Sequence, residues 1–163
     1  VIAKNDDAHN KLSEQLKDHS MKREYYALIE GRLKNNDGTI DKPLGRCKKD
    51  RLKIGIIEDG KRAVTHYEVV ERYNGYTLVK CVLETGRTHQ IRAHMASIGH
   101  PLAGDGKYGT NALNKTNPFR YQALYSYKLR FSFETPAGIL DYLNQKEFTV
   151  KDIWFLKEFQ KFQ

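Results

Sequence analysis

The residues best suited to chemistry lie in one stretch, "LETGRTHQIRAHMASIGHPLAGDGKYG", residues 83 to 109. It contains two arginines, three histidines and five glycines. Imidazoles can bind metals or move protons, guanidiniums can hold carboxylates or phosphates, and glycines let the backbone approach a ligand closely. The stretch is therefore a candidate for a metal site, a phosphate cradle or a nucleic-acid site, which require different residue spacings.

The spacing argues against the first two of these sites. A zinc pair on a helix requires histidines four apart, whereas His89 and His94 are five apart and no Glu, Asp or Cys completes a set. The glycines of "GDGKYG" are not followed by Ser or Thr and do not lie between a strand and a helix, as a phosphate-binding loop requires. We therefore expect no metal site and no phosphate-binding loop in this stretch.

A short helix is predicted in the middle of the stretch. Thr88 can cap its start, and its apolar stripe consists of Ile91, Met95 and Ile98. Gly99 suits the left-handed position after the helix, and Pro101 prevents its continuation. His89 and Arg92 share the face opposite the stripe. From chemistry alone, that face fits a functional site and a structural ion pair equally well.

The rest of the chain predicts strands with few helices. Residues 7–18 have helical apolar spacing, whereas "KREYYALIEG" alternates with a period of two. The clearest signal is a hairpin, in which two alternating runs flank Asn74-Gly75. "ALYSYKLRFSFE" alternates again, and "TVKDIWFLKEFQKFQ" is predicted to be helical. Because no strand–helix–strand rhythm occurs, the predicted class is α+β, a mainly antiparallel or mixed sheet with flanking helices.

Composition favours one domain with a polyanionic partner. The 163 residues carry 28 Lys and Arg against 20 Asp and Glu, a net charge of +8. This balance favours nucleic acid, although a basic protein without such a partner has the same composition. No apolar run is long enough to cross a membrane, and neither Cys47 nor Cys81 has a metal or redox spacing. We expect a reducing compartment, with both thiols buried or idle.

A polar loop before residue 54 holds a cluster of cations: Arg46, Lys48, Lys49, Arg51 and Lys53. Asn-Asp-Gly and Lys-Pro pairs in this region predict a loop or a short edge strand. Cations in such a loop can contact phosphates, but a solvated loop has the same composition.

The stretch from 83 to 109 closely resembles the signature of the RluA-type pseudouridine synthases, which isomerise uridine in rRNA and tRNA. Flanking pieces agree in order: "AKND" before a helix, "KREYYALIEG", "GTIDKPLGR" and "GKRAVTHYEV". The similarity runs from residue 1 to about Glu134, and the TGRTHQIR…GHP…GD…YG pattern is too long for a chance motif. The resemblance implies the pseudouridine synthase catalytic-domain fold, present in part, and an isomerase without metal or organic cofactor.

The resemblance also implies three active-site residues. The family's tyrosine, which stacks on the target base and is proposed to remove its proton, corresponds to Tyr25. The family's arginine, which pairs with the catalytic aspartate, corresponds to Arg92. An apolar residue beside the base corresponds to Leu124, although the usual Leu-His-Ala reads Leu-Tyr-Ser and Tyr121 replaces a basic residue. The candidate RNA contacts are Arg46, Lys48, Arg87, His89 and Lys107.

The family's catalytic aspartate has no counterpart in these residues. It lies in an "HRLD"-like motif upstream of the segment that matches "VIAKND", and no such string occurs here. Asp105 matches the aspartate of "GD..YG", which we expect to be structural. Val1-Ile2-Ala3 has the composition of a strand end, so we expect sequence upstream of it. Residues 1–163 are thus predicted to be the C-terminal part of the catalytic domain and to be inactive alone.

We therefore expect a cytoplasmic RNA pseudouridine synthase acting on large-subunit rRNA or on tRNA, with neither a metal nor a membrane as partner. Two other functions fit the same residues: an RNA-binding module of this family without catalysis, and a basic structural domain of the ribosome. An HRLD-like motif upstream would favour the enzyme. Loss of modification on Arg92→Ala would argue against the structural domain.

Overall fold

The computed structural model describes residues 1–17, 20–48, 50, 52–110 and 118–159. In this part of the chain, six strands form one antiparallel sheet in the order β2-β5-β6-β1-β7-β8. They are β1 (Met21–Glu30), β2 (Asp37–Asp41), β5 (Val64–Arg72), β6 (Tyr76–Leu83), β7 (Leu124–Phe131) and β8 (Glu147–Thr149). A separate hairpin pairs β3 (Leu44–Arg46) with β4 (Ile54–Ile56). The helices are α1 (Asp6–Lys17), α2 (Gln90–Ser97) and α3 (Trp154–Phe159), with a 3₁₀ helix over Gly138–Leu143. The predicted α+β class is confirmed.

Both faces of the sheet are covered, because alternate residues of β1 enter different cores. Ala27 and Ile29 join the core beneath α2, which also contains Ile91 and Met95. Leu28 points to the opposite face and joins a core that contains residues of α3. Successive side chains of a strand point to opposite faces of the sheet. Because a core covers each face, all three residues of Ala27–Ile29 are buried. The face beneath α2 is the one that matters for the candidate site.

Helix α1 covers one end of the sheet. Asn5 caps it, since the Asn5 Oδ1 accepts a 2.8 Å hydrogen bond from the Ala8 N–H. Its apolar residues Ala8 and Leu12 pack against a core that contains Phe131 and Leu140. The helix predicted over residues 7–18 is confirmed through Lys17, and Asp18 lies outside the described residues.

The β5–β6 hairpin has the turn that its sequence predicts. Gly75 has φ +78°, the left-handed region that favours glycine at a tight turn. The register between the strands shifts between Val69 and Glu71, which is a β-bulge. The hairpin places the end of β6, at Leu83, immediately before the residues predicted to carry function.

The pairing of β1 with β7 ends at Ala27, and the next residue of β1 hydrogen-bonds to a segment that follows α2. The Leu28 N–H donates to the Ala123 carbonyl at 3.0 Å, and the Ala103 N–H donates to the Leu28 carbonyl at 2.9 Å. The Ala123 N–H in turn donates to the Ala103 carbonyl at 2.8 Å. Three backbone segments therefore meet at this junction, which fixes the exit from α2 relative to the start of β7.

Several sequence predictions need correction. Residues 1–3 form no strand, and Ile2 is almost fully exposed. The helix predicted over residues 149–163 is limited to Trp154–Phe159 within the described residues, and 160–163 lie outside them. Glu147–Thr149 instead forms β8 against β7. The expectation for the cysteines is confirmed for Cys81, whose burial raises the pKa of its thiol to about 12.

No helix within the described ranges is both long and apolar enough to span a membrane.

Candidate functional site

Gln90, the first residue of α2, anchors the helix to the strand ends. Its Oε1 accepts hydrogen bonds from the Thr85 hydroxyl at 2.8 Å and from the Arg87 N–H at 3.0 Å. Its Nε2 donates to the Val64 carbonyl at 2.8 Å and to the Thr65 hydroxyl at 3.0 Å. The side chain is buried, and all four hydrogen bonds of its amide are made. Gln90 therefore fixes the start of α2 against β5 and the β6–α2 loop.

His94 extends this network one turn further along α2. Its Nε2 lies 3.0 Å from the Lys42 carbonyl, and its Nδ1 lies 2.9 Å from the Thr65 hydroxyl. A carbonyl only accepts, so Nε2 carries the proton and Nδ1 accepts from Thr65. Burial lowers the pKa of this imidazole, and the neutral form satisfies both contacts. His94 is thus a structural residue that connects α2 to the segment after β2.

The start of α2 differs from the predicted one. Thr88 does not cap the helix; the N-cap is His89, in the left-handed conformation at φ 55° and without a side-chain cap. The Gln90 N–H already donates to the Arg87 carbonyl, so residues 87–90 form a turn and the helix begins at Gln90. The predicted end is confirmed, because Gly99 has φ +85° just after the helix.

Arg92 and Asp105 form the central ion pair of the site. Nε and Nη2 of Arg92 each donate to one oxygen of the Asp105 carboxylate at 2.7 Å. Asp105 is fully buried, and the side chain of Arg92 is 13% exposed. Burial alone would raise the pKa of Asp105, but the bonds from Arg92 and from the backbone N–H groups of Lys107 and Tyr108 outweigh it and lower that pKa. Nη1 of Arg92 keeps no hydrogen-bond partner among the described residues.

Tyr108 contacts Arg92 and two further polar residues near this ion pair. The Arg92 guanidinium carbon lies 5.0 Å from the centre of its ring, and the Lys53 ammonium lies 5.2 Å from it. Its hydroxyl lies 3.1 Å from Nδ1 of His89, whose ring meets the Tyr108 ring edge-on. Burial, and then the charges of Arg92 and Lys107, lower the pKa of His89. His89 is therefore a neutral hydrogen-bonding group at neutral pH.

Tyr25 and Leu124 lie on the sheet face that α2 covers. Both pack against the core that contains Ile91 and Met95. Leu124 pairs with Ala27 of β1, two residues along from Tyr25 and on the same face. The Tyr25 ring is half-buried, and its hydroxyl has no hydrogen-bond partner within the described part of the chain. The fold thus brings the three elements that carry Tyr25, Arg92 and Leu124 to one side of the sheet.

Two of the five candidate RNA contacts line a common cleft. Arg46, on β3, and Arg87, on the β6–α2 loop, face a cleft of ≈ 490 Å³ that is also lined by Lys61. Nε of Arg87 donates to the Arg62 carbonyl at 3.1 Å, which holds its guanidinium at the rim. Among the described lining residues, three are cationic and one, Asp59, is acidic. The cleft is suited to anionic backbone groups.

The other candidates are placed differently. Lys48 is exposed in the bend after β3. Lys107 lies closer to the ion pair, and its ammonium donates to the Leu52 carbonyl at 2.7 Å. Lys49 and Arg51 lie outside the described residues.

Sequence reasoning missed two residues of this site, Tyr108 and Gln90. Tyr108 was visible only as the tyrosine of "GD..YG", and Gln90 only as part of the "THQIR" string. Asp105 was expected to be structural, and the structure pairs it with Arg92. The sequence places Arg92 in the helix and Gly104-Asp105 after it, but this order alone does not specify a contact between the Arg92 and Asp105 side chains. Within the residues that the structure describes, no group of three or more His, Cys, Asp or Glu could hold a metal ion.

Comparison with known proteins identifies the family. Residues 1–97 match the family described as RNA pseudouridylate synthase. The chain is 53% identical over 131 residues to the uncharacterized RNA pseudouridine synthase YlyB of Bacillus subtilis, covering 80% of this chain and 42% of the relative. It is 45% identical over 138 residues to ribosomal large subunit pseudouridine synthase D of Zymomonas mobilis, covering 80% and 43%. The chain thus spans less than half the length of these relatives.

Solved structures agree with the sequence comparisons. The human RNA pseudouridylate synthase domain containing 1 protein superposes with a TM-score of 0.72 at 25% identity, over 99% of this chain and 74% of that one. The human domain containing 4 protein superposes with a TM-score of 0.68 at 17% identity, which supports the fold. The matched residues contain β1, the cleft and α2 with its Arg92, so sequence, fold and site agree: this chain belongs to the RNA pseudouridylate synthase family.

Proposed function

We propose that this chain is the C-terminal part of the catalytic domain of an enzyme that isomerises uridine to pseudouridine in RNA, with large-subunit rRNA as its substrate. The observation that carries the proposal is the Arg92–Asp105 fork. It holds a partly exposed guanidinium in one orientation, and within the described ranges Nη1 has no partner that would compete with a further anion. The rRNA substrate is proposed because relatives such as that of Zymomonas mobilis are named for it. The enzyme's location is then the cytoplasm.

Each of the three site residues has a separate role in this proposal. Arg92 orients and keeps ionised the carboxylate of an aspartate supplied by sequence upstream of Val1, and that aspartate attacks the target nucleoside. Tyr25 covers the detached base and removes its C5 proton after the base rejoins the ribose through C5. Leu124 contacts the base on its apolar side. The reaction requires no metal and no organic cofactor.

RNA is held by the basic surface beside this site. Arg46, Arg87 and Lys61 line the cleft between the β3–β4 hairpin and the β6–α2 loop. Lys48 and Lys107 extend the positive charge, and neutral His89 contributes a hydrogen bond. Such contacts to phosphates position a strand without reading its sequence.

The test is tritium release from RNA labelled at C5 of uridine. The 163-residue chain alone is expected to release none, whereas the native full-length protein releases tritium and its Arg92→Ala and Tyr25→Phe variants do not. Glu14→Gln, on the exposed face of α1, serves as the matched control and should retain activity. Release by the 163 residues alone would overturn the assignment of the nucleophile to the upstream segment. RNA binding without release by the full-length protein would identify a binding module without catalysis.

A further inference from the structure

A second cleft opens beside the start of β7, outside the basic cleft. It has a volume of ≈ 530 Å³, which lies in the range of about 300–1,000 Å³ usual for small-molecule pockets. Its lining consists of Pro118, Arg120, Tyr121, Gln122, Leu124 and Trp154. Leu124 lines this cleft and also packs against the core beneath α2, so one residue of β7 is shared between the cleft and the candidate active site.

Tyr121 and Arg120 form an exposed aromatic–cation pair at the rim of this cleft. Tyr121 is 62% exposed. The guanidinium carbon of Arg120 lies 5.6 Å from the centre of its ring. No carboxylate in the described part of the chain forms an ion pair with Arg120. The pair therefore offers an aromatic face beside a positive charge whose counter-ion is not supplied by those residues.

Trp154 forms a second aromatic wall with a fixed orientation. Its ring meets the Phe119 ring edge-on at 5.9 Å and the Phe155 ring edge-on at 5.4 Å. Phe119 and Phe155 are buried in the core on the α3 face of the sheet, whereas Trp154 is half-buried. Because Trp154 packs against two buried rings, ordering it against a ligand should cost little further conformational entropy.

We propose that this cleft binds a nucleobase of the RNA strand adjacent to the target uridine, with Tyr121 and Trp154 as stacking surfaces and Arg120 contacting the adjoining phosphate. Aromatic faces bind bases of any sequence because every base has a π-face, and a neighbouring cation matches the phosphate. Gln122 lines the cleft, and its side-chain amide, which has no partner among the described residues, can hydrogen-bond the edge of a base. Because Leu124 lines this cleft and also carries a role in the proposed active site, we assign the bound base to the same RNA strand as the target uridine. This inference rests on the proposed function, since it takes RNA as the ligand.

Trp154 provides a direct readout, because it is the only tryptophan of the 163-residue chain. Oligouridylate titrated into this chain should quench the tryptophan fluorescence to saturation. An oligonucleotide of the same length with abasic residues keeps the phosphates but lacks the bases, and it should bind through charge without quenching. Tyr121→Leu should weaken oligouridylate binding about tenfold, as expected for the loss of one stacking contact.

Matched variants make the result specific to the cleft. Tyr142→Leu removes another highly exposed tyrosine, in the 3₁₀ helix, and should leave affinity and quenching unchanged. Oligouridylate that binds by fluorescence anisotropy without quenching Trp154 would overturn the inference. Equal affinity of Tyr121→Leu and the unsubstituted chain would overturn it as well.

Failure of this inference is distinguishable from failure of the proposed function. In the full-length protein, Tyr121→Leu should raise the KM for RNA several-fold and leave kcat unchanged. If tritium release by that variant is normal in both parameters while Arg92→Ala abolishes release, the nucleobase cleft is rejected and the isomerase stands. If the unsubstituted full-length protein releases no tritium, the proposed function itself fails.

Discussion

Arg92 and Asp105 are joined by two parallel N–H···O hydrogen bonds of 2.7 Å, across the turn that follows α2. The same carboxylate accepts the backbone N–H groups of Lys107 and Tyr108. One buried side chain therefore orients the guanidinium and also fixes the "GDGKYG" turn. The aspartate of the "GD" pair is a positioning residue for Arg92 as well as a structural one.

Asp105→Ala should destabilise the protein more than Arg92→Ala. The aspartate variant loses the ion pair and both backbone contacts, and it leaves a largely buried guanidinium unpaired, a loss of about 3–5 kcal/mol. The arginine variant keeps the two backbone donors to the carboxylate. Urea unfolding of both variants and of the double variant measures the coupling between the side chains. Equal destabilisation by the two single variants would contradict this order.

Gln90→Leu should be destabilising although it preserves side-chain size. The variant removes the four hydrogen bonds of the Gln90 amide, at about 0.5–1.5 kcal/mol each, although the Val64 carbonyl keeps the Glu84 N–H as a donor. Gln90→Glu should cost more, because a carboxylate oxygen would then face the Val64 carbonyl. Urea denaturation monitored by circular dichroism tests both. An unchanged midpoint for Gln90→Leu would show that the network does not hold α2.

The stability of the protein should fall on acidification below the ordinary His pKa of 6.5, in part because of His94. Its pKa is lowered by burial in the folded state, so the unfolded state binds more protons between the two pKa values and stability rises with pH there. The contribution is complete above pH 6.5 and is lost as the pH falls toward the folded pKa. Unfolding free energies measured across this window should show a smaller slope for His94→Gln. An identical slope would assign the dependence to other groups, such as His89.

Two glycines with positive φ should respond differently to substitution. Gly99→Ala places a methyl group in open space at φ +85°, so only the strain of the left-handed conformation applies, about 1–2 kcal/mol. Gly104→Ala has φ +70°, and its Cβ would lie 2.3 Å from the Tyr121 carbonyl oxygen. It should cost clearly more, because backbone atoms must move. Thermal unfolding of the two variants compares them, and similar losses would contradict the close approach at Gly104.

The basic cleft should give a salt-dependent contribution to RNA binding. Arg46→Gln and Arg87→Gln should each weaken binding at all sequences and reduce the slope of log affinity against log salt by about 1. Arg130→Gln is the matched control, since Arg130 is exposed on β7 and bonds to Gln145 instead. Anisotropy titrations at several salt concentrations measure the slope. A slope unaffected by either cleft variant would remove the cleft from the RNA path.

Local sequence signals predicted the elements but not the contacts between them. The hairpin at Asn74-Gly75 and the end of α2 at Gly99 depend on backbone conformations that neighbouring residues specify, and both are confirmed. The Thr88 cap was wrong because the turn before α2 is fixed by Gln90, whose side chain is itself held by Val64 and Thr65, which are distant in sequence. Strand β8 was missed because its three residues are exposed and take their conformation from β7.

The active-site predictions came from the resemblance more than from residue chemistry. Chemistry alone could not decide between a functional Arg92 and a structural ion pair. The geometry fits both, because Arg92 makes such a pair while its Nη1 has no hydrogen-bond partner among the residues that the structure describes. The Arg92–Asp105 contact could not be derived from spacing, because thirteen residues separate the two and their approach depends on the chain turning after Pro101. Tyr25 and Leu124 are likewise brought together only by the pairing of β1 with β7.

The hydrogen bond between Ala123 and Ala103 closes the chain between them into a loop with a fixed base. Because Ala103 and Ala123 are held together independently of the number of residues between them, insertions or deletions after Tyr108, which leave the Asp105 contacts intact, alter the cost of closure only slowly, by about 0.6 kcal/mol for each doubling of length. Evolution can therefore lengthen or replace the surface that carries Tyr121 while α2 and Leu124 stay in place. The junction thus separates a segment whose length can change from the residues that hold Arg92 and Leu124 in place.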